Sequence, residues 1–197
     1  MTKKIIDAFI FFNELDMLNL RLHENNNLVD YFILIESNKS FTNNLKEFIF
    51  ENNKHKFKQF LDKIIHIKVY DMPDGTDNWN REFHQRNCIE RGLKLVPNLK
   101  NDDIILISDV DEIIRSETII QLKKDEISKM YNLNMELYYY NLQNKANNNN
   151  CWPLVRAGPY NLIKEYKNIS DIRKENFDSY NNCGWHLSYF GGIEKIK

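Results

Sequence analysis

Apolar residues over the first 112 positions fall into short runs separated by amphipathic stretches, a pattern that predicts alternating strands and helices. Ile5 to Phe12 reads as a strand, and Glu14 to Glu24 as a helix with Leu15, Leu18 and Leu22 three and four residues apart. Val29 to Ile35 is a second strand running into Glu36-Ser37-Asn38, a helix follows within Leu45 to Leu61, and Lys63 to Val69 is a third strand. Pro73-Asp74-Gly75 breaks the period as a turn. Trp79 to Lys94 then predicts a helix, and the unbroken apolar run Ile104 to Ile107 a central strand buried on both faces. Strands alternating with helices predict an α/β fold with a mostly parallel central sheet flanked by helices.

Beyond residue 112 the pattern is less regular. Glu117 to Lys124 predicts a short helix, Asn134 to Asn141 a tyrosine-rich strand, and Asn147 to Asn150 a polar loop tip. Aromatic residues among Gly and Asn (Trp152, Tyr160, Trp185, Tyr189, Phe190) suggest a ligand-facing layer rather than a second domain. The 197 residues, 42% of them hydrophobic, suit one domain with a sizeable core.

Charge and cysteine usage then narrow the partners. Lys plus Arg total 27 and Asp plus Glu 28, so no global field gathers nucleic acid or anionic lipid. No apolar run approaches the ~20 residues of a membrane span. The N-terminal patch is interrupted by Asp7 and closed by Asn13-Glu14, which argues against a signal peptide. Cys88, Cys151 and Cys183 are an odd, widely spaced set that fits a reducing compartment, so a soluble, cytoplasmic protein is expected.

The chemistry concentrates where the run Ile104 to Ile107 ends in Ser108-Asp109-Val110-Asp111-Glu112. Ligands of open α/β sheets sit beyond the carboxyl ends of the strands. If the extended conformation persists, Asp109 and Asp111 project to one side and Val110 and Glu112 to the other. Two aspartates suit Mg²⁺ or Mn²⁺, which as a Lewis acid stabilises the charge growing on a departing nucleoside diphosphate. A solvated strand-end turn would carry the same residues. A strand followed by Asp-x-Asp also opens the nucleophile motif of haloacid-dehalogenase-type phosphatases, but here Ile113 stands where those have Thr.

Five blocks in order, DAFIFFNE (Asp7 to Glu14), VDYFILIESNKSFT (Val29 to Thr42), REFHQRN (Arg81 to Asn87), ISDVDEI, and GWHLSYFGG (Gly184 to Gly192), resemble glycosyltransferase family 17. The resemblance spans nearly the whole chain. It implies a GT-A-type, Rossmann-like fold, a UDP-sugar donor and inversion at the anomeric carbon, but does not carry over the acceptor; the expected reaction is transfer of N-acetylglucosamine from UDP-N-acetylglucosamine to a glycan hydroxyl. On that reading residues 1–112 hold the nucleotide sugar and 113–197 face the acceptor, within one domain. A catalytically silent nucleotide- or carbohydrate-binding domain is the alternative.

Individual residues follow from position. Asn13, Glu14 and Glu36, just after the first two strands, are candidates for the base or ribose, with helix capping the competing role for Asn13. Arg81, Arg86 and Asn87 are candidates for the diphosphate along with Asp109, although Glu82, Arg86 and Glu90 are also spaced as a surface ion-pair ladder. In GT-A enzymes a downstream histidine can approach the motif's metal, so the resemblance adds His186 to Asp109 and Asp111 as a candidate metal ligand, and Glu112, Glu136 and Asp178 are candidates for the general base of an inverting transfer.

Overall fold

The computed structural model describes residues 3–146 and 151–190. The N-terminal alternation forms as expected: β1 (Ile5–Phe11), α1 (Leu15–Asn25), β2 (Tyr31–Ser37), α2 (Ile49–Asn53) with a 3-10 helix (Lys54–Phe60), and β3 (Ile64–Val69). After it come α3 (Asn78–Asn87), α4 (Ile89–Leu93), β4 (Ile104–Asp109), β5 (Glu112–Ile114) and α5 (Ser116–Lys124). The last part is β6 (Tyr131–Tyr139), β7 (Cys151–Pro159), α6 (Tyr160–Ile163), α7 (Ile169–Ile172), β8 (Asp178–Tyr180) and β9 (Gly184–Ser188).

One sheet holds the strands in the order β3-β2-β1-β4-β7-β6-β9-β5, with β8 paired to β6. The block β3-β2-β1-β4 is entirely parallel. β7 then pairs antiparallel with both β4 and β6, while β6 pairs parallel with β8 and β9, so the second half of the sheet is mixed. The expected loop tip, 147–150, lies outside the described residues.

Two cores lie on opposite faces. Ile5, Phe9 and Phe11 face a core shared with Leu18 and Leu22 of α1 and Ile119 and Leu122 of α5. Ile6, Ala8 and Ile10 face the other, shared with Cys88, Ile89, Leu93, Ile163, Ile169 and Ile172. This is why β1 is apolar at every position but Asp7: a strand covered by helices on both faces has no polar side. Glu14 stands at the N-cap of α1 without a side-chain cap bond, so burial of Leu18 and Leu22, each worth roughly 1.5–3 kcal/mol, secures that helix. Asp77 caps α3 by accepting the Trp79 N–H at 2.9 Å.

The expected Trp79 to Lys94 helix is divided at Cys88, whose ψ of −8° tightens the turn. α4 then lies against β2 so closely that a Cβ on Gly92 would come within 2.3 Å of Ile33. The expected helix within Leu45 to Leu61 is likewise split, with Phe50, Phe57 and Phe60 buried.

Candidate active site

The acidic segment does not stay extended. β4 ends at Asp109, Val110 and Asp111 form a turn, and Glu112 opens β5. The simple alternation that would put both aspartates on one side of a strand is therefore replaced by a turn that sends them to different partners. Gly184 makes the return possible: β9 passes β5 so closely that a Cβ there would lie 2.1 Å from the Ile113 carbonyl oxygen.

The turn is held from beneath by a fully buried ion pair. Arg21 of α1 donates to Asp7 of β1 through Nε (2.8 Å) and Nη2 (2.5 Å), and Nη2 also reaches Ser108 Oγ at 2.5 Å. Its Nη1 donates to the carbonyls of Asp109 (2.8 Å), Glu112 (2.9 Å) and Val110 (3.3 Å). The guanidinium lies 4.4 Å from the centroid of the Phe9 ring. Sequence reasoning did not single out this pair. Its signal was two charges at core positions: Asp7 inside an apolar strand, and Arg21 on the Leu18–Leu22 face of its helix.

Asp109 faces two arginines, Arg86 Nη1 at 2.7 Å and Arg173 Nη1 at 3.0 Å. Arg86 is also paired with Glu82 at 2.8 Å, so the helical ladder and the site contact coexist. Burial opposes ionisation of Asp109, but the charges of Arg173 and Arg86 outweigh it and hold the carboxyl well below the usual carboxylate range. Arg173, just after α7, was not foreseen, since nothing in the local sequence separates it from other exposed-looking cations.

Glu112 is wholly buried and fully engaged. It accepts the Asp109 N–H at 2.6 Å, Arg173 Nη2 at 2.8 Å and the indole N–H of Trp152. Burial, the largest influence, pushes its pKa up against the pull of Arg173. Its carboxylate orders the turn.

Asp111 turns toward β9, where His186 Nε2 lies 3.4 Å from its Oδ2. The Trp152 ring packs on the imidazole with centroids 4.3 Å apart. Burial alone would lower the His186 pKa, but Asp111, with Glu112 and Asp109 nearby, outweighs it and the net shift is upward. Nδ1 of His186 is buried with no partner among the described residues. Glu14 also borders this region: burial raises its pKa, Asp111 adds to the rise, and its Oε2 accepts the N–H groups of Phe12 (3.0 Å) and Asn13 (2.9 Å).

The other expected residues lie elsewhere or are occupied. Glu36 is buried and accepts the Phe50 N–H at 3.0 Å, with His66 Nε2 at 3.0 Å. Arg81 donates to the carbonyls of Phe41 (2.5 Å) and Gly75 (2.7 Å), holding two loops. Asn87 Oδ1 accepts the Ser170 N–H at 2.8 Å, which anchors the segment leading to Arg173. Asn13 is exposed beside the end of β1.

Of the three candidate bases, Glu112 is spent as described. Glu136 pairs across with Trp185, whereas Leu137 pairs with His186, so strand alternation puts Glu136 on the opposite sheet face from His186. It is held by Lys145 (2.5 Å) and Arg115 (3.0 Å), and the Lys145 contact lowers its pKa. Asp178 is exposed, is paired with Lys129, and sits opposite Tyr131 at the far end of β6.

Among the described residues no three His, Cys, Asp or Glu side chains are grouped to hold a metal. Mg²⁺-type sites nevertheless commonly use one or two protein ligands, with substrate phosphates and water filling the rest. Asp111 fits that smaller set, with His186 a nitrogen donor suited to Mn²⁺ rather than Mg²⁺; Asp109, committed to two guanidiniums, does not.

Comparison with known proteins adds to this picture. Residues 1–196 match the sequence profile of glycosyltransferase family 17. The chain is 27% identical over 126 residues to the human beta-1,4-mannosyl-glycoprotein 4-beta-N-acetylglucosaminyltransferase, covering 61% of this chain and 24% of that protein. The rat enzyme of the same name matches at 27% over 126 residues, 61% of this chain and 23% of its own. The matched stretch is thus about a quarter of the length of these relatives. A solved structure, a putative glucose-1-phosphate thymidylyltransferase from Bacillus anthracis, has a TM-score of 0.51 at 10% identity, covering 93% of this chain and 88% of that one, a likeness of fold. Among the described residues no helix is long and apolar enough to cross a membrane.

Proposed function

Since the chain belongs to glycosyltransferase family 17, we propose that it transfers a sugar, N-acetylglucosamine from UDP-N-acetylglucosamine, to a glycan hydroxyl with a divalent cation at Asp111 and His186. The observation that carries this reading is the Asp111–His186 pair: a partly exposed carboxylate 3.4 Å from a buried imidazole, beyond the carboxyl end of β4. Membership of a glycosyltransferase family sets the phosphatase reading aside.

When bound, Mn²⁺ or Mg²⁺ supplies Lewis-acid stabilisation of the departing diphosphate. The protein supplies rigidity. Arg21 fixes the backbone of the turn, and Glu112 with Arg173 fixes its second half, so Asp111 meets the donor without reorganising. Arg86, paired with Glu82 and Asp109, and Arg173, paired with Asp109 and Glu112, brace the first aspartate of the turn. Trp152 covers one side of His186 and excludes water from it.

One observation favours the catalytically silent reading: none of Glu112, Glu136 and Asp178 presents a free carboxylate beside Asp111. Calorimetric titration of UDP, GDP and UDP-N-acetylglucosamine with Mn²⁺ and with chelator tests the donor site. Metal-dependent binding of the uridine species, lost in Asp111→Asn, is expected. Absence of binding to folded protein refutes the donor reading, and binding without product over hours selects the silent one.

A further inference from the structure

β6 and β9 run parallel, and both end at the sheet edge that carries the acidic turn. Tyr140 follows β6 and Tyr189 follows β9, and the two turns are tied by the Tyr140 N–H donating to the Ser188 carbonyl at 3.0 Å. Their rings stack with centroids 5.7 Å apart and planes 23° apart. Both residues are more than half exposed, 55% and 54%, and the Tyr139 ring adjoins that of Tyr140 at 6.4 Å.

Both tyrosines have positive φ, 66° and 59°, a conformation bulky side chains rarely adopt and that glycine takes without penalty. A fold that keeps two exposed aromatic side chains in strained backbone, stacked only on each other, gains nothing in core packing from them. Strain of this kind concentrates at ligand clamps.

We propose that Tyr140 and Tyr189 form a stacking platform for a pyranose ring of the acceptor saccharide; this rests on the glycosyltransferase reading above. The apolar C–H face of a sugar ring suits the negative face of an aromatic ring. Position favours the acceptor over the donor: Tyr189 lies three residues past His186, roughly 10 Å on an extended chain, just after β9, which belongs to the half of the sheet beyond the parallel block β3-β2-β1-β4. Two residues before Tyr140, the Tyr138 hydroxyl, which donates to Glu136 at 3.2 Å, can still accept from a sugar hydroxyl.

The test is saturation-transfer NMR with methyl β-glycosides of mannose, glucose, galactose and N-acetylglucosamine, alongside UDP titration and thermal melting. Wild-type protein is expected to saturate the ring C–H protons of at least one glycoside. Tyr140→Gly and Tyr189→Gly are expected to weaken that signal roughly threefold or more, with UDP binding unchanged and melting temperature equal or higher, because glycine relieves the backbone. Tyr189→Phe is expected to retain the signal. The platform is overturned if the glycine variants bind glycosides as wild type does, or if protein that binds UDP binds no glycoside. Tyrosine-dependent glycoside binding without UDP binding would remove the donor reading and leave the platform standing.

Discussion

Replacing Arg21 by methionine removes the side chain that connects the buried Asp7 carboxylate to the acidic turn. Arg21 and Asp7 are both fully buried, so the variant strands a charge, an effect of about 3–5 kcal/mol. The carbonyls of Asp109 and Glu112 also lose donors at 2.8 and 2.9 Å, about 1 kcal/mol each. Together these approach the whole stability of an ordinary domain, about 5–15 kcal/mol. Arg21→Met is therefore expected to be largely unfolded or to unfold at a much lower urea concentration. The double variant Asp7→Leu/Arg21→Met separates the two contributions. With no charge stranded it should recover most of the stability, leaving a deficit of about 2 kcal/mol from the two carbonyls. Its turn would still lack its clamp, so Mn²⁺-dependent UDP binding should remain weaker than wild type. Urea unfolding followed by tryptophan fluorescence, with calorimetry on the folded variants, measures both. The reasoning fails if the single variant loses less than about 1 kcal/mol, or if the double variant is no more stable than the single.

Further expectations concern the two aspartates, acid stability and the thiols. Asp111→Asn should lower Mn²⁺-dependent UDP affinity at least about tenfold with little change in melting temperature, whereas Asp109→Asn should lower melting temperature by leaving Arg86 and Arg173 short of a counter-charge; the reverse assignment of effects would refute the division of labour. Because the folded pKa of Asp109 is depressed, its contribution to stability is present above the unfolded value near about 3.9 and is lost as pH falls through the folded one. Urea midpoints measured from about pH 5 to pH 2 should accordingly fall less steeply for Asp109→Asn than for wild type, and equal slopes would count against it. Burial pushes the Cys88 and Cys183 thiols up to about 11, while Cys151 is exposed. Alkylation of native protein near neutral pH should modify Cys151 alone, with mass spectrometry locating the adduct; labelling of Cys88 or Cys183 without unfolding would contradict their placement.

The strands β1 to β4, helix α1 and the place of the acidic motif were legible in the sequence because each depends on residues close together in the chain. Ile104 to Ile107 had to be a central strand, since an unbroken apolar run needs cover on both faces, and Ile5 to Phe11 reads as a core strand despite Asp7. The five ordered blocks likewise located the family without a structure. What the sequence left open depends on contacts between distant segments. Asp109 meets Arg173, Asp111 meets His186 and Glu112 meets Trp152 only after β7 and β9 join the sheet, and no spacing rule connects such positions. The tyrosine-rich strand showed candidate ligands but not their faces. A one-residue change in the pairing of β6 with β9 would exchange Glu136 and Leu137 between the two sides of the sheet. Tertiary pairing therefore set the register that turned Glu136 away from His186. It also supplied, in Arg21 and Asp7, the buried charge pair that fixes where the carboxylates of the turn point.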